Sequence, residues 1–324
     1  MTEGDNSRLD LLLAASAPGG SCPGVVKQLV NNLKTNARPL RVASLRVLGN
    51  MVTGTDMHVA AVVSAGFLDR VVGLMKDSKR ALRKEACWAL SNITADSPRH
   101  KQLVIAVPQC ASTLLKCSQD SHDVYKEATW AVANLFVDNV HGVVGPAVAA
   151  GYLGVLLACC AKVDGEDGHL PIICKEAVQA VADACSLPHV REVVWAQMTG
   201  CAAYPALLDC AVEDITEPLA EVLEEHFDTE YTDIMRSDMG YDAAIASLQG
   251  LLDGTAPSVS FGAGSGAQGK GKGKGKGTGD GTPLNNAATS VAATAALAAA
   301  PSAQQETHSN AEPVPQDFGS FSFS

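Results

Sequence analysis

The stretch that decides the fold is KEACWALSNITAD (84–96), because it returns 42 residues later as KEATWAVANLFVD (126–138). Lys84 falls on Lys126, Glu85 on Glu127, Trp88 on Trp130 and Asn92 on Asn134. One step back, LRVLGNMVTG (45–54) brings Asn50 into the same register, with Arg46 at the tryptophan position. One step forward, past the insertion VDGEDGHLP, CKEAVQAVADAC (174–185) carries Gln179 and Asp183 at these two places. A fifth segment, VEDITEPLAEVLEEHF (212–227), keeps only the apolar pattern. A repeat of this length marks an array of supersecondary units that bury their apolar faces against one another.

Within a unit, Ala86, Leu90 and Ile93 recur at helical spacing, which predicts a helix of about four turns. Two shorter helices precede it. MHVAAVVSAG (57–66) ends on a glycine suited to a left-handed cap, and FLDRVVGLMKDS (67–78) ends in polar turn residues. Three helices per unit fit the armadillo class: an all-α, right-handed α-solenoid. The expected organisation is a cap or remnant of a preceding repeat over 1–22, about five repeats over 23–253, and a disordered tail over 254–324. In that tail Gly, Ser, Ala, Thr and Pro prevail and Lys270, Lys272, Lys274 and Lys276 alternate with glycine.

Composition agrees with packed helices. Of 324 residues, 47% are hydrophobic but only 5% aromatic. The formal charge of −11 speaks against wrapping a nucleic acid and for a cationic partner. The ten cysteines form no CxxC pair and lack zinc-type spacing with histidine, so they read as small buried hydrophobes in a reducing compartment. The N-terminus lacks a basic region ahead of its short apolar run, and no apolar stretch is long enough to span a bilayer. A soluble protein with no membrane association is therefore expected. No cofactor, metal or catalytic constellation is indicated: there is no phosphate loop, GxSxG or HExxH. His58, His100, His122 and His141 fall near helix starts at unequal intervals, where capping or surface roles are ordinary.

Trp88 and Asn92 lie four apart, as do Trp130 and Asn134, so each pair shares a helix face. A repeated asparagine is poorly explained by apolar packing, because its amide must find hydrogen-bond partners. It is either a clamp for a ligand backbone or a cap on the neighbouring repeat. Adjacent helices packed about 8–10 Å apart match about three residues of an extended peptide at about 3.3 Å each. Slots between successive indoles suit Lys or Arg stems, and Glu127 offers a carboxylate to the cationic head.

LRVLGNMVTGTD (45–56), KEACWALSNITAD and KEATWAVANLF resemble the sixth to eighth armadillo repeats of the importin-α family, adaptors that bind nuclear localisation signals. The similarity covers about residues 23–228. It implies that Arg46, Asn50, Val52, Thr53, Lys84, Trp88, Ser91, Asn92, Glu127, Trp130 and Asn134 form the family's minor signal-binding groove. The asparagines would hold the ligand backbone and the tryptophans would sandwich Lys or Arg stems. It further implies basic cargo peptides as partners and residence in cytoplasm and nucleus. The family's basic importin-β-binding segment has no counterpart in residues 1–20, so direct importin-β docking is not expected. The repeats of the major site have none either, and NLFVDN departs from the small polar residues usual after the eighth-repeat asparagine.

The fifth segment resembles the family's tenth repeat, where a dedicated exportin recycles the adaptor. Residues 213–238 hold ten carboxylates against one cation, Arg236, and Glu213, Asp214, Glu217, Glu221, Glu224 and Glu225 would be that partner surface. A polar end cap of the solenoid explains the same composition. The terminal FGSFSFS resembles the aromatic C-termini of some importin-α proteins. A general armadillo scaffold for another extended partner is the alternative function.

Overall fold

The structure, a computed structural model, describes residues 6–137, 141–166, 168–201, 215–235 and 241–255. These residues contain fifteen helices and no strand. In chain order they are α1 (Ser7–Ser16), α2 (Val25–Asn32), α3 (Arg38–Met51), α4 (Asp56–Ser64), α5 (Leu68–Met75), α6 (Arg80–Thr94), α7 (Pro98–Ile105) and α8 (Cys110–Ser118). They continue with α9 (His122–Phe136), α10 (His141–Ala149), α11 (Tyr152–Cys160), α12 (Leu170–Ala184), α13 (Pro188–Cys201), α14 (Glu217–Met235) and α15 (Tyr241–Leu252). All belong to one unit, Asp5–Phe261. The expected tail lies outside the described residues from 256 onward, as do its lysine run and FGSFSFS.

Two units are complete triplets, α4–α5–α6 and α7–α8–α9, with α10–α11–α12 repeating the order. The third helix of each unit packs against the third helix of the next: α3 on α6, α6 on α9, α9 on α12, and α12 on α14. In α6, Leu82, Ala86, Leu90 and Ile93 are all at most 1% exposed, which is the helical stripe read from the sequence. The turn between first and second helices needs a left-handed residue each time. Gly66 (φ 92°), Gln109 (φ 60°) and Gly151 (φ 86°) occupy it, one repeat apart, and Gln109 alone does so without glycine's freedom.

A second register of contacts stitches the units together. Arg41 at the start of α3 donates to Asp77 in the turn before α6 at 2.5 Å. One repeat on, Arg83 donates through Nε and Nη2 to Asp120 at 2.6 and 2.9 Å, and through Nη1 to the Asp77 carbonyl at 2.9 Å. A further repeat on, the pair has become Tyr125 and Lys162, with the ammonium 5.0 Å from the ring centroid. The positions are held while the chemistry changes from ion pair to cation–π contact.

The first helices are tied by histidines. His58 Nδ1 accepts from the Thr55 backbone N–H at 3.0 Å, closing a capping box at the start of α4. His100, 42 residues later, lies at the same place in α7, with Nδ1 3.0 Å from the Ser97 hydroxyl. It also contacts the carboxylates of Asp96 and, from α4, Asp56. The unequal histidine spacing thus conceals one regular pair, and both members are buried.

All nine residues of α11 are buried, so adjacent Cys159 and Cys160, which point in different directions from the helix, both sit in core. Burial pushes the Cys159 thiol up to about 12. Cys22, Cys87, Cys110, Cys117, Cys159, Cys160, Cys174 and Cys185 are free thiols, and of these eight Cys22 alone is exposed. α15 folds back along the array: Leu248 lies against Gly154, Leu252 against Gly151, and Asp253 is 3.3 Å from Lys116.

The Arg83 hydrogen bond holds the Asp120 carboxyl below its ordinary value near 3.8. Arg83→Ala should cost about 1–2 kcal/mol at pH 7, allowing for partial exposure of the pair, read from the urea midpoint. Because the native carboxyl is depressed, its contribution is present above the unfolded value and is lost as pH falls through the native one. The difference between wild type and variant should therefore shrink below about pH 4. An undiminished difference at pH 3 would assign the loss to the arginine stem instead.

Candidate peptide-binding face

The third helices α3, α6, α9 and α12 lie side by side, so residues at one register form a ladder across them. Trp88 and Trp130 stand on adjacent rungs, each half-buried. A methyl group at Gly49 would meet Trp88 Cζ3 at 2.5 Å and Cε3 at 3.0 Å, so the indole lies directly on the glycine Cα of the preceding rung. Only glycine allows that approach, and residue 49 therefore sets the pose of Trp88. The sequence offered the signal, a glycine inside an otherwise regular helix. Trp130 packs partly on the core.

The asparagines divide. Asn50 is exposed. Asn92 Nδ2 donates to the Trp88 carbonyl of its own helix at 3.0 Å. Asn134 is only 7% exposed, and its Nδ2 donates to the Ser91 carbonyl on α6 at 3.0 Å. That is the repeat-capping alternative, realised on one rung. Ser91 is also buried and its hydroxyl donates to the Trp88 carbonyl at 2.8 Å. Val52 departs from its groove assignment, because its side chain is 2% exposed and belongs to the core. Thr53 is exposed and its hydroxyl donates to the Asn50 carbonyl at 2.8 Å.

Charge on the ladder is largely internal. Arg46, at the tryptophan register of α3, donates to Glu85 at 2.5 Å, with half of its side chain still exposed. The other oxygen of Glu85 is buried without a hydrogen-bond partner among the described residues. Glu127, one repeat on, is pushed up to about 7 by burial, with Glu85 and Asp123 raising it further and Lys84 and Lys126 opposing. A cation brought to this carboxylate replaces hydration lost in the fold. Of the acidic surface, Glu217, Glu221, Glu224 and Glu225 are exposed on α14, while Glu213 and Asp214 lie outside the described residues.

The raised Glu127 pKa has a definite sign. Between 4.5 and about 7 the native chain holds a proton that the unfolded chain has released. Its stabilising contribution is full below 4.5 and is lost as pH rises through 7. Glu127→Gln, which keeps the neutral form, should flatten the fall of melting temperature between pH 5 and 8. A variant whose melting temperature tracks wild type across that range would show that Glu127 is already ionised.

Comparison with known proteins bears on the same elements. Residues 55–95 match the armadillo/β-catenin-like repeat, a span running from the Thr55 cap of α4 through α6. No curated protein matches the chain. Among solved structures, an engineered protein aligns with a TM-score of 0.51 at 18% identity, over 79% of this chain and 62% of its own. A designed armadillo repeat protein in complex with the peptide (KR)4 aligns at 0.43 and 21% identity, over 69% and 99%. One of a set of computationally designed armadillo repeat proteins for modular peptide recognition gives 0.44 and 22%, over 76% and 94%. Residues 55–95 therefore resemble an armadillo repeat, and the described residues form an α-solenoid of armadillo-like fold.

Proposed function

We propose that the ladder face binds extended Lys/Arg-rich peptides and that the protein is a non-catalytic nuclear import adaptor of the importin-α type. The observation that carries this reading is the pair of half-buried indoles on adjacent third helices, each with a glutamate, Glu85 or Glu127, three residues before it on the same helix. A Lys or Arg stem fits between such rings, with its cation near a ring face contributing about 0.5–2 kcal/mol. Glu127 supplies the counter-charge, and its buried carboxyl gains most when a cation arrives. Backbone clamping falls mainly to Asn50, since Asn134 is committed to Ser91.

That commitment favours a second reading, a general armadillo scaffold whose asparagines serve repeat stacking and whose face takes another extended partner. Ligand charge separates the two. Titrated by fluorescence anisotropy, a labelled Lys/Arg-rich peptide should bind more tightly than an Asp/Glu-rich one, and Trp88→Ala or Trp130→Ala should weaken it about tenfold, near 1.4 kcal/mol. Equal affinity for both peptides, or indifference to both substitutions, would leave the scaffold reading standing.

In the same adaptor role, the exposed carboxylates of α14 form the docking surface for a recycling exportin, and the protein passes between cytoplasm and nucleus. Charge reversal at Glu217, Glu221, Glu224 and Glu225 should then trap a fluorescently tagged chain in the nucleus without affecting binding of the basic peptide. Unchanged distribution would make this surface a solubilising cap.

A further inference from the structure

The ladder continues past Trp130 with altered chemistry. On α12, Glu176, Gln179 and Asp183 occupy the registers of Glu127, Trp130 and Asn134, each 49 residues further along. Together with Val137, Ile172 and Ala180 they line an open cavity of about 620 Å³. That lies within the range of ligand-sized sites, about 300–1,000 Å³. Ile172 is 54% exposed, an apolar side chain left open at the edge of the cavity. Residues 172, 176, 179 and 183 fall on one face of the helix, so the lining is continuous.

Two replacements set what the cavity can hold. Glutamine in place of tryptophan removes an indole from the rung and leaves room beside α9. Aspartate in place of asparagine turns a two-way amide into an acceptor, which receives N–H groups and cations but offers nothing to a carbonyl. Gln179 Nε2 donates to Asp183 Oδ1 at 2.8 Å and so orients that carboxylate. Glu176 and Asp183 are both exposed, seven residues and about 10.5 Å apart along the helix. Lys175 is the one cation in the lining, so the charge there is net negative.

We infer that this cavity is a further subsite of the peptide face, taking an arginine or lysine of the bound chain. The aliphatic stem lies on Val137, Ile172 and Ala180, and the cationic head lies with Glu176 and Asp183. No aromatic sandwich is involved; carboxylates on an apolar floor do the holding, which suits the planar, bidentate guanidinium best. Because α12 packs beside α9, the residue concerned is about three positions beyond the one seated at Trp130. The inference rests on the reading of the ladder as a basic-peptide site and extends its footprint by one repeat.

The test uses the full chain and three labelled peptides. One is a short Lys/Arg-rich peptide that covers only the tryptophan rungs. The second adds three residues at each end, with arginine at both new termini, and the third carries glutamate there. The arginine-ended peptide should bind about tenfold more tightly than the short one, and the glutamate-ended one no more tightly. Glu176→Gln with Asp183→Asn, both at exposed positions, should abolish the tenfold increment and leave the short peptide unchanged. Equal affinity of the short and arginine-ended peptides overturns the subsite while the ladder stands. So does a variant that weakens all three peptides alike. Failure of the short peptide to bind at all overturns the ladder reading, and the subsite with it.

Discussion

Everything in this molecule follows from a helix face that only its neighbour can cover. The stripe of Leu82, Ala86, Leu90 and Ile93 on α6 is too broad to be shielded within its own three-helix unit, and α9 and α3 complete the cover on either side. Stacking fixes a common register, and the register decides which side chains meet across the joint. Arg83 therefore finds Asp120, and Asn134 finds Ser91, each pair one repeat apart. The same stacking sets the indoles and carboxylates of successive third helices side by side, Trp88 on Gly49 and Arg46 on Glu85, and the ladder is made there. Core and candidate site are two faces of one packing decision.

Much of this was readable in the chain. The 42-residue spacing of KEACWALSN and KEATWAVAN places α6 and α9, and the apolar periodicity places their buried sides. What the residue types could not tell is where an amide points. Asn92 and Asn134 share a register, yet one bonds back to its own helix and the other crosses to α6. That choice depends on how closely the neighbouring backbone approaches, a tertiary quantity with no trace in a single helix. Val52 is a similar case: it follows Asn50 in a motif associated with the groove, but its place at the end of α3 turns it inward.

Other features were visible but had no reason to be noticed. Arg41 and Arg83 are one repeat apart, and so, within a residue, are Asp77 and Asp120. The series looks broken at Tyr125 and Lys162 unless one expects an aromatic ring and an ammonium to replace an ion pair. Gly49 reads as a weak point in a helix until Trp88 is laid upon it. Physical equivalence rather than residue identity is what persists from unit to unit. The net charge of −11 illustrates the converse, since residues 213–238 supply most of it and the ladder carboxylates are largely engaged with Arg46, Lys84 and their neighbours.

A simple array of repeats can lose its last unit with little consequence for the middle, because each contact is local in sequence. α15 changes that. Its seat on Gly151 and Gly154, and the Lys116–Asp253 pair spanning 137 residues, join the end of the solenoid to its centre. Detaching the end then requires opening a long loop's worth of contact, and reforming it carries the corresponding closure entropy. Because Leu248 and Leu252 cover Gly154 and Gly151, detaching α15 uncovers part of the wholly buried α11, which is the physical basis for opening these units together rather than one repeat at a time.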